Sequence, residues 1–251
     1  MNEIDFTLAN SLIGEYLSIK NSLIQSTIDC VDDLLTAFIE EINVIKSENK
    51  KNSFLFNPLR FFDISETKHS FLLRKLLDPH SEHGQGDLFL KIFLKQIGIV
   101  VGDSDRWIVT AENERIDVLI KRKYPPSVIV IENKSNYALD QENQLYRYWL
   151  DQMFFPNELM PVHYTLENRQ HFRLIYLSPT KAKRIGASSL TKPRGLDAFP
   201  DLPEMLNIDH ITELTFDEDI VKWLKGCTMH LNENHRLREY INQYIELWNF
   251  K

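Results

Sequence analysis

Cysteine is scarce in this sequence, and the two cysteines stand far apart. Cys30 and Cys227 are the only ones among 251 residues, so the composition excludes a disulfide framework and a zinc site built on cysteine pairs. No apolar run has the length of a membrane span, and no signal-peptide pattern opens the chain. We therefore expect a cytoplasmic protein that has no membrane partner.

Basic residues are also fewer than acidic residues. Lys and Arg number 29 against 36 Asp and Glu, which gives a net charge of −7. Such a balance argues against nucleic-acid binding through overall charge, although a local basic patch can still contact phosphates. The best candidate for a patch comprises Lys181, Lys183, Arg184, Lys192 and Arg194. A solvated, flexible loop is the alternative interpretation of this segment.

The chain has no internal repeat and no low-complexity tract. Hydrophobic residues make up 43% of it and aromatic residues 11%, which is enough to bury a full core at this length. One globular domain with helical additions is the simplest organisation.

Two acids and a lysine stand at the ends of adjacent apolar segments. Asp117 begins an alternating segment, whereas Glu132 and Lys134 follow the continuous apolar run 127–131, which predicts a strand buried on both faces. Because strand side chains alternate, Glu132 and Lys134 face one side, and a hairpin brings Asp117 beside Glu132. Two neighbouring carboxylates require a cation, and oxygen ligands suit Mg²⁺ or Mn²⁺.

This combination fits the hydrolysis of a phosphodiester bond. A divalent ion held by Asp117 and Glu132 would lower the pKa of a bound water and polarise the phosphate. Lys134 would orient or help deprotonate that water and stabilise the developing negative charge. The alternative interpretation is a solvated ion network in which the two acids pair with Lys134 and Arg115.

A polar pair follows on the next predicted element, a helix over 140–149. Gln144 and Tyr148 are four residues apart and share one helix face, while Leu145 and Trp149 belong to a neighbouring apolar stripe that would dock on the sheet. An ordinary polar helix face is the alternative interpretation of this pair.

These motifs resemble the PD-(D/E)XK nuclease superfamily. They occur as Asp117, a gap of fourteen residues, and Glu132-Asn133-Lys134. Gln144 and Tyr148 resemble the QxxxY signature of an exonuclease-type branch. Ile116 departs from the pattern because it replaces the proline before the aspartate, which changes no ligand.

The resemblance covers roughly residues 54–150 and implies a fold. We expect an α/β protein with a restriction-endonuclease-like core, which is a small mixed β-sheet flanked by helices, and with added N- and C-terminal helices. The expected regions are a helical arm over 1–53, the nuclease core over 54–180, and a basic loop with C-terminal helices over 181–251 that packs on the same domain.

The resemblance also implies roles for particular residues. The backbone carbonyl of Asn133 would be a further metal ligand, and Gln144 and Tyr148 would hold the phosphate or the water. Glu66 would add an acid from an early helix. Its alternative interpretation is local, since Asp63 to Glu66 also fits a helix N-cap with its reciprocal glutamate.

We therefore expect a Mg²⁺-dependent nuclease, with Mn²⁺ as a substitute, that cuts DNA in restriction, repair or phage defence. The sequence leaves open whether RNA is the substrate and whether cleavage is internal or terminal. One alternative is a nuclease-fold binding or assembly module that acts through the helical arm. Another is a zinc hydrolase centred on His69, His80 and His83.

The arm is predicted to be a long helix with one narrow apolar seam. The seam residues follow an alternating four-three spacing: Ile24, Ile28, Val31, Leu35, Phe38, Ile42 and Ile45. We expect another helix of the same chain to cover the seam, with 235–248 as the candidate. The alternative is a homodimer or a partner protein bound through this helix. The polar residues 47–53 predict a loop after it.

A second helix start lies near the C-terminus. Thr215 to Glu218 has the pattern of a capping box, in which a threonine and a glutamate satisfy each other's backbone amides. Gly226 is expected to close this helix.

Overall fold

The computed structural model describes residues 6–53, 55–102, 105–113, 116–157 and 171–249. Arg115, named above, lies outside the described residues, and so does residue 54, at which the resemblance begins. The chain divides into two compact units, Met1–Asn57 and Pro58–Lys251. Among the helices described, none has the length and apolar character needed to cross a membrane.

The first unit contains one long helix, α1 (Phe6–Asn52), of 47 residues. It continues through residues 47–52, so the predicted loop there is wrong. That segment contains neither proline nor glycine, and Lys50 and Lys51 stabilise the negative end of the helix dipole. The helix ends at Asn52, and the next residue, Ser53, adopts a positive φ of 50°.

The second unit is built on a five-stranded mixed sheet with the strands in chain order. The strands are β1 (Trp107–Asn113), β2 (Ile116–Arg122), β3 (Ser127–Asn133), β4 (Phe172–Ser178) and β5 (Thr212–Thr215). The first three form an antiparallel meander, and β3, β4 and β5 pair in parallel. The predicted small mixed sheet is confirmed.

Helices cover both faces of this sheet. They are α2 (Glu66–Leu77), α3 (Leu88–Gln96), α4 (Gln144–Trp149), α5 (Phe155–Asn157), α6 (Ala187–Leu190), α7 (Val221–Thr228) and α8 (His235–Glu246). A π-helical turn, Leu150–Phe154, joins α4 to α5, and another, Phe216–Ile220, leads into α7. Short 3-10 turns occupy Pro58–Phe61 and Ile208–His210.

Strand β3 separates two hydrophobic clusters and is buried along its whole length. Ile129 and Ile131 pack in the cluster with α2, α3, α7 and α8. Val128 and Val130 point the other way, into the cluster with α4 and α6. A continuous apolar run is what a strand buried on both faces requires.

The apolar face of α8 contributes to the first of these clusters. Ile241, Tyr244 and Trp248 are buried there, and Trp248 stacks on Phe216 with ring centroids 4.1 Å apart. This face of residues 235–248 therefore packs within its own unit, and the expectation that it covers the seam of α1 stays a prediction. Helical periodicity predicts an apolar face but does not predict which surface packs against it.

The segment that leads into α7 has the predicted capping pattern, except that Asp219 replaces Glu218 as the side-chain acceptor. Thr215 Oγ1 accepts a hydrogen bond from the Glu218 amide at 3.3 Å, while the reciprocal acceptor for the Thr215 amide is Asp219, at 2.8 Å. Gly226 lies inside α7 and does not close it. A Cβ at Gly226 would lie 3.4 Å from Ile92, so this glycine permits the close approach of α3.

Candidate active site

The hairpin of β2 and β3 brings the two acids to the same end of the sheet. Val118 pairs with Ile131, and the next position along this register sets Asp117 opposite Glu132. The Asn133 amide donates to Asp117 Oδ2 at 2.7 Å. The structure therefore brings Asp117 and Glu132 together on the sheet face that carries α4.

Glu132 and Lys134 form a buried ion pair beside Asp117. Glu132 Oε1 lies 2.7 Å from Lys134 Nζ, and the two residues are only 2% and 4% exposed. Glu132 Oε2 is also buried and has no hydrogen bond from the part of the chain that the structure describes. This burial contradicts a solvated ion network, and Arg115 cannot be placed in one because it lies outside the described residues.

The carboxyl groups are difficult to ionise in this setting. Burial, together with the charge of Asp117, raises the pKa of Glu132 to about 8. Burial likewise raises the pKa of Asp117, although the Asn133 amide and Lys134 oppose that shift. Burial opposes the charge on Lys134 as well, but the Glu132 carboxylate outweighs it, so the pKa of Lys134 lies above its ordinary value. Such a cluster is stabilised by an added cation.

Helix α4 extends the cluster through two polar side chains. Lys134 Nζ donates to Gln144 Oε1 at 3.2 Å, and Gln144 Nε2 donates to the Tyr148 hydroxyl at 3.0 Å. Both α4 residues are buried, which contradicts an ordinary solvated face. Burial and the Glu132 carboxylate raise the pKa of the Tyr148 hydroxyl.

Glu66 approaches the cluster from α2. Ser65 is the N-cap of that helix, so the local capping-box interpretation of Glu66 is wrong. The Glu66 carboxylate instead accepts hydrogen bonds from the amides of Asn136, at 3.2 Å, and Ala138, at 3.4 Å. After burial, its charge is among the factors that raise the pKa of Asp117.

The Asn133 side chain points to the opposite face and fastens β3 to α2. Its Nδ2 donates to Ser70 Oγ at 2.9 Å and to the Glu66 carbonyl at 3.0 Å. Its Oδ1 accepts from the Ser135 amide at 2.9 Å. These bonds hold the backbone between Glu132 and Lys134 in a defined position.

Asp140 and Tyr176 belong to this neighbourhood and were missed in the sequence. Tyr176 pairs with Glu132 across β3 and β4, and its hydroxyl donates to Asp140 Oδ1 at 2.9 Å. Asp140 Oδ2 accepts from the Gly186 amide at 2.6 Å. Helix α4 begins at Gln144 and not at Asp140, because Asn143 has a positive φ of 57°. Strand alternation within residues 172–178 was the available signal, since it places Tyr176 on the same face as Leu174.

The five basic residues after β4 have different environments. Lys181 pairs with Glu218, Lys192 lies 3.5 Å from Glu204, and Lys183 lies 3.8 Å from Asp140. Arg184 and Arg194 are exposed. Of these five residues, Lys183 is therefore the one that pairs with Asp140, a residue next to the site.

The donor set indicates which kind of cation fits. Within the described ranges, no group of three His, Cys, Asp or Glu side chains forms a metal-binding cluster. Asp117 and Glu132 supply carboxylate oxygens, and the buried Glu132 Oε2 still needs a partner. Oxygen donors supplemented by backbone and water suit hard divalent cations such as Mg²⁺.

The histidines hypothesised to bind zinc have other partners. His69 Nδ1 lies 2.8 Å from the Tyr244 hydroxyl, in an aromatic cluster with Phe216 and Trp248. His83 Nε2 lies 3.1 Å from the Asp78 carbonyl, and its ring stacks on Phe89. Among the described residues, which include His80, no group of three such side chains could hold a metal ion, so the hypothesis of a zinc hydrolase centred on these histidines is wrong.

Comparison with known proteins gives one family. The model of the PD-(D/E)XK nuclease superfamily matches residues 56–246. No curated protein and no solved structure matches the chain. The family match is to the superfamily as a whole, so membership in a QxxxY branch stays a prediction.

Proposed function

The chain belongs to the PD-(D/E)XK nuclease superfamily, and from this membership we propose that it hydrolyses phosphodiester bonds in DNA with the help of Mg²⁺. Its mixed sheet flanked by helices is a restriction-endonuclease-like α/β fold. The observation that carries the proposal is the buried ion pair of Glu132 and Lys134 beside Asp117. Two acids and a lysine at one strand end have a high desolvation cost that a purely structural role does not require.

We assign the cation to the carboxylates of Asp117 and Glu132 and to the backbone carbonyl of Asn133. When bound, a divalent cation lowers the pKa of a water molecule and offsets charge on the phosphate. Three features support this assignment: the oxygen donors, the raised pKa of both acids, and the unsatisfied Glu132 Oε2. Mn²⁺ has the same ligand preferences and would substitute.

Lys134 acts through its positive charge in this proposal. Its raised pKa keeps the amine protonated near neutral pH, which makes it a poor base. A protonated amine orients the attacking water and stabilises negative charge on the phosphoryl oxygens. The hydrogen bond to Gln144 Oε1 holds it in position.

The Tyr148 hydroxyl also stays protonated, because its pKa is raised. It accepts from Gln144 Nε2 and interacts with Glu132, and in this position we assign it a contact with the phosphate or the water. Glu66 acts on Asp117 through its charge, from the N-terminus of α2. Lys183, anchored by Asp140, contacts a phosphate next to the cleaved one. Arg184, Lys181, Lys192 and Arg194 are assigned weaker contacts farther along the strand.

Cleavage by the purified protein tests the proposal. Linear and circular DNA, single- and double-stranded, and RNA would be incubated with Mg²⁺, with Mn²⁺ and with EDTA. We expect metal-dependent cleavage of DNA and a rate at least about 100-fold lower for Lys134→Ala, because an electrostatic group at the reacting phosphate is lost. Lys121→Ala is the matched control, since Lys121 lies on β2 but is exposed.

The outcomes separate the two functions considered for this chain. Metal-dependent cleavage that Lys121→Ala retains and Lys134→Ala loses supports the nuclease. If no nucleic acid is cut and Mg²⁺ leaves the melting temperature unchanged, the chain is a binding module that acts through its helical arm. A role in restriction, repair or phage defence is part of the proposal, and phage plating on cells that express wild type or Lys134→Ala tests it.

A further inference from the structure

We propose that α1 joins copies of this chain in a parallel coiled coil. The helix has 47 residues and is therefore about 70 Å long. Six of its seven seam residues are between 39% (Ile45) and 57% (Phe38) exposed, and Ile42 is half-buried. An apolar seam that continues over three heptads is the surface that coiled-coil partners bury.

The flanks of the seam are complementary to a second copy. Glu41 directly precedes the seam residue Ile42, and Lys46 directly follows Ile45. In parallel, in-register helices, the residue directly before a seam position faces the residue five places later on the neighbouring helix. Glu41 of one chain therefore faces Lys46 of the neighbouring chain, and this contact contributes an attractive ion pair.

The same geometry applies one heptad earlier. Leu34 directly precedes the seam residue Leu35, and Ile39 directly follows Phe38. Both are at least half exposed, and they face each other across a parallel pair. They widen the apolar contact in the middle of the helix.

A polar seam position indicates the register. The four-three spacing continues upstream from Ile24 to Asn21 and Leu17. A single asparagine in an apolar seam specifies register, because its amide finds a hydrogen-bond partner when it meets the same residue of the next helix. Asn21 pairs with its own counterpart only when the helices run parallel and in register.

The seam also indicates the number of helices. Isoleucine or valine occupies both of its rows, with Ile28 and Ile42 in one and Ile24, Val31 and Ile45 in the other. Branched residues in both rows favour three or four helices over two. The expected assembly is therefore a parallel bundle of three or four chains.

Sedimentation of the full-length protein over a range of concentrations tests the proposal. Wild type should sediment as an oligomer, and Ile28→Asp with Leu35→Asp should raise its dissociation constant by more than about 100-fold, because carboxylates would be buried in the seam. Val44→Asp is the matched control. Val44 is 58% exposed and lies on the opposite side of the helix, so the association of this variant should equal that of wild type.

Disulfide trapping tests the register. Val31→Cys, in a chain that also carries Cys30→Ser, should form an interchain disulfide, because Val31 meets its own counterpart in a parallel bundle. Cys227 is buried and should not compete. The charge variants Glu41→Lys and Lys46→Glu should each associate more weakly alone than when mixed, since mixing restores opposite charges.

Either of two results would overturn the proposal. One is a wild-type monomer at all concentrations, which would leave the seam for a different protein. Another is an oligomer that the seam variants do not weaken. Neither result bears on DNA cleavage, so failure here and failure of the proposed nuclease are distinguishable.

Discussion

At the scale of single residues, Glu132 has the least favourable electrostatic environment of the described site. It is buried next to one acid and one lysine, and its contacts with Lys134 and Tyr148 only partly offset the loss of water. With a pKa of about 8, Glu132 of the cation-free protein still competes for a proton near neutral pH. A cation must displace this proton in order to bind.

The displaced proton predicts how cation binding depends on pH. Below a pH of about 8 the proton competes with the cation, and the apparent affinity falls by up to about tenfold per pH unit. Mg²⁺ should therefore raise the melting temperature more at pH 8 than at pH 6. Differential scanning fluorimetry with Mg²⁺ or EDTA at both pH values measures the effect. Asp117→Asn, as control, should lose the shift at both.

The same proton determines how the stability of the cation-free protein changes with pH. The folded chain binds it between the ordinary glutamate pKa of 4.5 and about 8, whereas the unfolded chain has released it. The contribution of Glu132 to stability therefore falls as pH rises through this window. Equal Mg²⁺-induced shifts at pH 6 and pH 8 would contradict the raised pKa.

The site residues that could be predicted from the sequence lie close together along the chain. Asp117, Glu132 and Lys134 belong to one hairpin, where alternation and register place side chains without knowledge of the rest of the fold. Asp140 and Tyr176 could not be assigned in this way. Their contact depends on how the residues before α4 meet β4, which is a tertiary arrangement that leaves no periodic signal.

At the scale of elements, the segment after β4 is fastened to the site by one acid. Asp140 binds the Tyr176 hydroxyl on β4 and the Gly186 amide just before α6. A Cβ at Gly186 would lie only 3.0 Å from Asp140 Oδ2, so the close contact depends on glycine. Lys183 lies in the chain between Tyr176 and Gly186, the two residues that Asp140 binds.

This anchoring predicts different effects for two neighbouring lysines. Lys183→Ala should raise KM for DNA by about tenfold and leave kcat nearly unchanged, because a phosphate contact made equally in the ground and transition states is lost. Lys181→Ala should change KM by less than about twofold, since Lys181 forms an exposed pair with Glu218. Steady-state kinetics at fixed salt compare the two. Equal effects would indicate that only the overall charge of this segment matters.

The helices show where sequence periodicity is insufficient. The pattern identified the seam of α1 and the apolar face of α8, and both faces exist. It gives no basis for pairing them, because each is a narrow apolar stripe and periodicity carries no information about distance. The end of α1 was also placed too early, since polar residues without glycine or proline can continue a helix.

At the scale of the whole molecule, residues 58–251 contain both hydrophobic clusters and all the proposed site residues. A chain that begins at Pro58 should therefore fold, melt within about 5 °C of the full-length protein and keep metal-dependent cleavage, because it keeps every residue of the two described clusters. Calorimetry and the cleavage assay measure this. A truncated chain that does not fold would show that the first unit is needed for the stability of the second.

The distribution of tryptophan gives the molecule an optical property. Trp107, Trp223 and Trp248 lie in the cluster with α2, α3, α7 and α8, whereas Trp149 alone lies in the α4 cluster. Trp149 directly follows Tyr148 and has its ring in edge contact with Tyr146 at 5.4 Å. After replacement of the other three indoles by phenylalanine, the emission of Trp149 would come from the α4 face alone. The protein therefore carries an intrinsic fluorophore next to its proposed site, which can follow ligand binding without an attached dye.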